Sequence, residues 1–166
     1  MLIALSGLPG VGKTTIAREF CRATRAVHLR VDSIEQALRN AGWTVEAEGY
    51  RVAYAIAEDN LRLGRIVVAD CVDPWPLTRN EWRAVAERSG VRIVPVEIVC
   101  SDAREHRRRV ESRRADIPGH VVPTWADVIE RDYRSRDDDR LLIDTAQLDV
   151  DASVRSIRSA MVQPVI

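Results

Sequence analysis

The segment Gly7-Leu8-Pro9-Gly10-Val11-Gly12-Lys13-Thr14 constrains this chain more than any other feature. It fits G-x-x-x-x-G-K-[ST] in full, follows an apolar run at 2–5 and opens an amphipathic one at 13–25. That is the strand-then-helix setting in which the pattern cradles phosphates. Each residue type has a physical reason. Glycines let the backbone curl so that successive N–H groups point inward, and the dipole of the next helix adds partial positive charge. Lys13 suits the β- and γ-phosphates, the Thr14 hydroxyl suits Mg²⁺, and the hydroxyl of Thr15 suits the α-phosphate. The expected ligand is ATP with Mg²⁺, held by Gly7, Leu8, Pro9, Gly10, Val11, Gly12, Lys13, Thr14 and Thr15.

Basic residues strengthen that reading. There are 25 of them, and Lys13 is the only lysine. A chain so biased toward arginine keeps a compact ammonium at the one place where a planar guanidinium does not fit. Acidic residues also number 25, so the net charge is zero, which argues against a general nucleic-acid-coating protein. Cys21, Cys71 and Cys100 are odd in number and far apart. They read as small hydrophobes in a reducing, cytoplasmic setting. The first residues carry no basic n-region, and no stretch approaches the ~20 apolar residues of a membrane span.

With 166 residues, the chain is expected to form one domain over 1–166. Strands are expected at 2–5, 27–31, 66–69, 93–99 and 141–143, and helices at 13–25, 33–40, 45–63, 78–89, 103–114, 124–134 and 152–161. The alternation and the near-continuous apolar strands predict a three-layer α/β domain, with about five parallel strands and helices on both faces.

Two carboxylates fall where strands of such a sheet end, the edge that faces a ligand crevice. Asp70 follows Ile66-Val67-Val68-Ala69 and suits the magnesium shell, with Asp73 competing for the role and capping of the next turn as the plain alternative. Asp32 follows Val27-His28-Leu29-Arg30-Val31. It suits a general base for an attacking hydroxyl, or an N-cap for a helix starting at Ser33. The basic run 104–114 and the loop behind it, to 123, read as a mobile lid carrying arginines to the phosphates, or as a solvated helix and a connection. Tyr50, Tyr54, Glu58 and Asn60, at helical spacing within 43–64, and Trp75 would line an acceptor pocket or simply enter the core.

Together these residues resemble the P-loop kinase superfamily that includes adenylylsulfate kinase, chloramphenicol phosphotransferase, gluconate kinase and polynucleotide kinase. They are most similar to its zeta-toxin-like or polynucleotide-kinase-like bacterial ATP-binding proteins. The shared features are Gly7 to Thr15, Val31-Asp32-Ser33, Val68-Ala69-Asp70-Cys71-Val72-Asp73-Pro74, the arginine-rich lid and Ile143-Asp144-Thr145. The resemblance implies Asp32 as general base, Asp70 on metal or substrate, and Arg113 as the lid arginine on the transferring phosphoryl group. Arg109 is its second candidate, and Thr145 would border the adenine. Glu35 stands where the phage polynucleotide enzyme has arginine, which speaks against a nucleic-acid acceptor. The leading expectation is therefore an ATP-dependent phosphotransferase for a small hydroxyl-bearing molecule, acting as monomer or homodimer without a membrane. A polynucleotide 5′-hydroxyl kinase and an ATPase module working through a protein partner are the alternatives. A guanine-nucleotide switch is disfavoured, since its Asn/Thr-Lys-x-Asp motif needs a second lysine.

Overall fold

The strand β1 (Leu2–Ser6) is buried at every residue, as expected of a central strand covered on both faces. The computed structural model describes residues 1–134 and 136–162. β1 pairs in parallel with β3 (Val67–Asp70) on one side and β4 (Ile93–Val99) on the other. The edges are β2 (Val27–Arg30) and β5 (Leu141–Asp144), giving the order β2-β3-β1-β4-β5. The anticipated five-stranded parallel sheet is thus borne out.

Alternation along the strands divides the core. Ile3, Leu5, Val68, Val96 and Ile98 pack with α1 (Lys13–Thr24) and α7 (Val150–Val162) through Ile16, Phe20 and Ile157. Leu2, Ala4, Val67 and Ala69 face α3 (Glu48–Arg62) and α4 (Pro76–Arg88) through Ala53, Ala57, Leu61 and Trp82. The sheet has helices on both faces, and β1 emerges at its middle, where the chain order switches sides.

Several boundaries move. β2 stops at Arg30, and α2 spans Val31–Asn40, so Asp32 lies in a first helical turn and not on a strand end. Its N-cap is Arg30, with no side-chain cap bond, so Asp32 is not the cap either. The expected helix at 124–134 shortens to α6 (Trp125–Ile129), closed at its start by a Thr124–Asp127 capping box. The expected helix at 103–114 ends earlier, as α5 (Ala103–Ser112), with Arg113 in extended backbone. Among the described residues, no helix is long and apolar enough to cross a membrane.

Candidate active site

α1 starts at Lys13 directly from Gly12, with no side-chain cap and no acid in its first turn. Its leading amides and its dipole are therefore left for an anion. The loop that delivers them is tightly enclosed. Gly7 has φ 136°, and a Cβ there would lie 2.1 Å from the Ile98 carbonyl oxygen. Gly10 has φ 85°, and its Cβ would lie 2.4 Å from Val110 Cγ2. Lys13 is buried and folds over the loop, its Nζ donating to the Gly7 and Leu8 carbonyls at 2.7 and 2.9 Å. Burial pushes its ammonium below the ordinary lysine range, while the charges of Asp70 and Asp32 pull it back up.

Asp70 is buried and accepts from His28 Nε2 at 3.1 Å. Burial alone would raise its carboxyl, but that bond, the charge of Lys13 and a hydrogen bond from Thr14 hold it below the usual range. Thr14 and Asp70 thus bring two hard oxygen donors together beside the phosphate loop, a donor set that fits Mg²⁺. Asp73, the rival candidate, points elsewhere. It is buried behind the cleft at φ 50°, its N–H donates to the Tyr50 hydroxyl at 3.0 Å, and its carbonyl accepts from Arg79. Asp32 borders the cleft with its carboxylate 3.7 Å from Arg30 Nη2.

The opposite wall is formed by the helix of the arginine-rich run. α5 is wedged on the phosphate loop: His106 Nε2 lies 2.8 Å from the Pro9 carbonyl oxygen, and Val110 fills the space over Gly10. Four residues apart on a charged helix, these two form the only buried stripe of α5, a signal that the run of arginines masks. Arg109 is a strut. It donates to Glu105, and to Thr145 through both Nη1 (2.8 Å, to the hydroxyl) and Nη2 (3.1 Å, to the carbonyl). The Thr145 hydroxyl in turn lies 2.8 Å from the Val11 carbonyl oxygen, tying β5 to the loop. Arg113, just past α5, borders the cleft and is near enough to lower the Lys13 pKa.

The aromatic expectation divides. Tyr50 and Trp75 border the cleft. Tyr54 instead joins the core, edge-on to Trp82 at 4.5 Å, while Glu58 pairs with Arg62 and Arg88, and Asn60 caps back onto Ile56. His28, beside Asp70, and Arg30, Arg18, Gln36 and Asp116, along the cleft, belong to no motif of the sequence. The polar alternation of His28 and Arg30 within an apolar strand was the available signal, and Arg30 lies in register with Asp70. One continuous cleft of about 1140 Å³ joins these groups, from Thr145 and Leu148 past Lys13 to Asp32, Arg30 and Gln36.

A family model described as an AAA domain matches residues 2–132. The chain belongs to this AAA domain family. Curated protein sequences offer no match. Among solved structures, the AAA domain chain resembles an APS kinase, CysC, from Mycobacterium tuberculosis in complex with AMPPNP and APS. The TM-score is 0.77 at 19% identity, covering 98% of this chain and 97% of that one. It also resembles Kti12 from Chaetomium thermophilum in complex with ADP-AlF3, with TM-score 0.71 and 20% identity over 98% and 100%. A gluconokinase from Sinorhizobium meliloti 1021 gives TM-score 0.66 and 18% identity over 96% and 90%. The fold is that of the P-loop kinases.

Proposed function

We propose that this protein transfers the γ-phosphate of ATP to a hydroxyl of a small acceptor. One observation carries the reading: the cleft holds about 1140 Å³ and continues past Lys13 to Asp32. Single-ligand pockets usually span ~300–1,000 Å³, so there is room for a nucleotide and a second molecule. In this reading the adenine lies toward Thr145 and Leu148, and the phosphates take the amides of Gly7 to Thr15. Lys13 leaves the Gly7 and Leu8 carbonyls for the β- and γ-phosphates. Thr14 and Asp70 would hold Mg²⁺, which supplies charge neutralisation between those phosphates. The acceptor oxygen then bonds to the γ-phosphorus as the bond to the β–γ bridging oxygen breaks. Its proton passes to Asp32, ADP departs, and Arg113 stabilises charge on the transferring group. The three free cysteines fit a reducing compartment, the cytoplasm.

The test is a screen of nucleosides, sugars, antibiotics and 5′-hydroxyl oligonucleotides for stimulated ADP release. A small hydroxyl compound is expected to stimulate it, with oligonucleotides inert at ~0.15 M salt, since nucleic-acid affinity needs several phosphate contacts. Glu35 holds an acidic group, paired with Arg39 at 3.0 Å, at the acceptor end of the cleft. Efficient end-labelling of an oligonucleotide would overturn the small-acceptor reading. ADP release answering only to a protein would replace the kinase with a switch.

A further inference from the structure

At the acceptor end of the cleft stands a buried cation whose partner comes from a loop. Arg30, 6% exposed, projects beside Asp70 and into the cleft. Its Nη1 and Nη2 donate to the two carboxylate oxygens of Asp116 at 2.8 and 3.1 Å. Arg18 on α1 adds a third contact to the same carboxylate. This is the planar, bidentate fork by which arginine recognises a carboxylate or a phosphate. Asp116 lies in the irregular stretch after α5, and its side chain is 35% exposed. Among the described residues, Arg30 Nε is buried without a hydrogen-bond partner, so the loop carboxylate leaves part of the guanidinium unsatisfied. Asp32, the proposed base, is 3.7 Å from the same guanidinium.

We infer that Arg30 and Arg18 form an anion subsite for the acceptor, and that Asp116 occupies it as a displaceable intramolecular carboxylate. The inference rests on the kinase reading and narrows its acceptor to a hydroxyl compound that also bears a carboxylate or a phosphate. An acceptor whose anionic group replaces Asp116 presents its hydroxyl next to Asp32. Its binding also releases the loop three residues beyond Arg113, so occupancy of the subsite and placement of that arginine are coupled.

The test measures binding, so it does not depend on turnover. The protein is first saturated with AMPPNP·Mg²⁺, which fills the phosphate loop, and is then titrated calorimetrically with inorganic phosphate and, separately, acetate. Asp116→Asn removes the competing charge and should bind the preferred anion about tenfold or more tighter than the parent, the scale of one charge-assisted contact. Adding Arg30→Gln to that variant should abolish the gain, and adding Arg18→Gln, at an exposed position that does not threaten folding, should reduce it. A response to phosphate alone assigns a phosphorylated acceptor; a response to acetate assigns a carboxylated one. If Asp116→Asn binds neither anion better than the parent, the subsite does not exist, and Asp116 is only a structural clasp. Failure of the kinase reading shows separately, as the absence of any acceptor that stimulates ADP release.

Discussion

Asp73 shows how much one buried carboxyl changes with its surroundings. Burial raises it to about 6, against a hydrogen bond from Thr78 and the charges of Arg136 and Arg79. Its folded pKa thus exceeds the ordinary value of ~3.9. The folded state binds the extra proton, so the contribution of this group is complete below about pH 4 and is lost as pH rises through 6. Asp73→Asn keeps a residue tolerant of positive φ and abolishes that loss. Relative to the parent, the variant should gain on the order of 1–3 kcal/mol between pH 5 and 7.5, read from urea midpoints at the two pH values. No relative change would show that Asp73 is ionised in the fold at both. Asp32 is the contrasting carboxylate, at the cleft and in a first helical turn. Asp32→Asn should leave ATP affinity near the parent's and lower acceptor-dependent turnover roughly 10²–10⁴-fold. Undiminished turnover would remove it from the chemistry.

At the scale of elements, α5 combines a basic surface with a buried seat on the phosphate loop. His106 and Val110 make one face of it part of the wall of the phosphate loop. Gly10→Ala would press a methyl into Val110 at a positive φ, costing on the order of 1–3 kcal/mol. Combining it with Val110→Ala should recover the steric share in a denaturation series; no recovery would mean that backbone strain alone accounts for the loss. The arginines themselves divide by place. Arg107 pairs with Glu111 in solvent, Arg108 is 68% exposed and pairs with Glu105 at the rim, and Arg113 faces the cleft. Arg113→Ala should therefore depress turnover more than ATP binding, whereas Arg107→Ala should change neither. Equal behaviour of the two would reduce the basic run to a solvated face.

Across the whole molecule, the cleft sits where β1 leaves the middle of the sheet. β3 and β2 bring Asp70 and Arg30 to one side of the loop, and β5 brings Thr145 to the other. Bound nucleotide would bridge these elements and stabilise the fold by mass action, about 2.7 kcal/mol at a hundredfold excess over Kd. ATP·Mg²⁺ should accordingly raise the thermal midpoint of the parent, and Lys13→Ala should lose most of that rise. Lys13→Arg should lose it too, since the cradle fits an ammonium rather than a fork. An undiminished rise in Lys13→Ala would overturn the assignment of the phosphate loop.

The phosphate loop, the five parallel strands and the crevice-edge position of Asp70 were legible in the sequence because each depends on neighbours along the chain. Glycine spacing, apolar runs and a strand's last residue are local facts. What remained hidden depends on residues far apart in the chain. Asp116 meets Arg30 across 86 residues, Arg109 reaches Thr145 across 36, and His106 reaches Pro9 across 97. No periodicity records such pairs, because the sheet order and the seat of α5 decide them. The same holds for Asp73 and Tyr54. Composition allows each a place in the cleft, and only the packing of α3 and α4 against the sheet turns them inward.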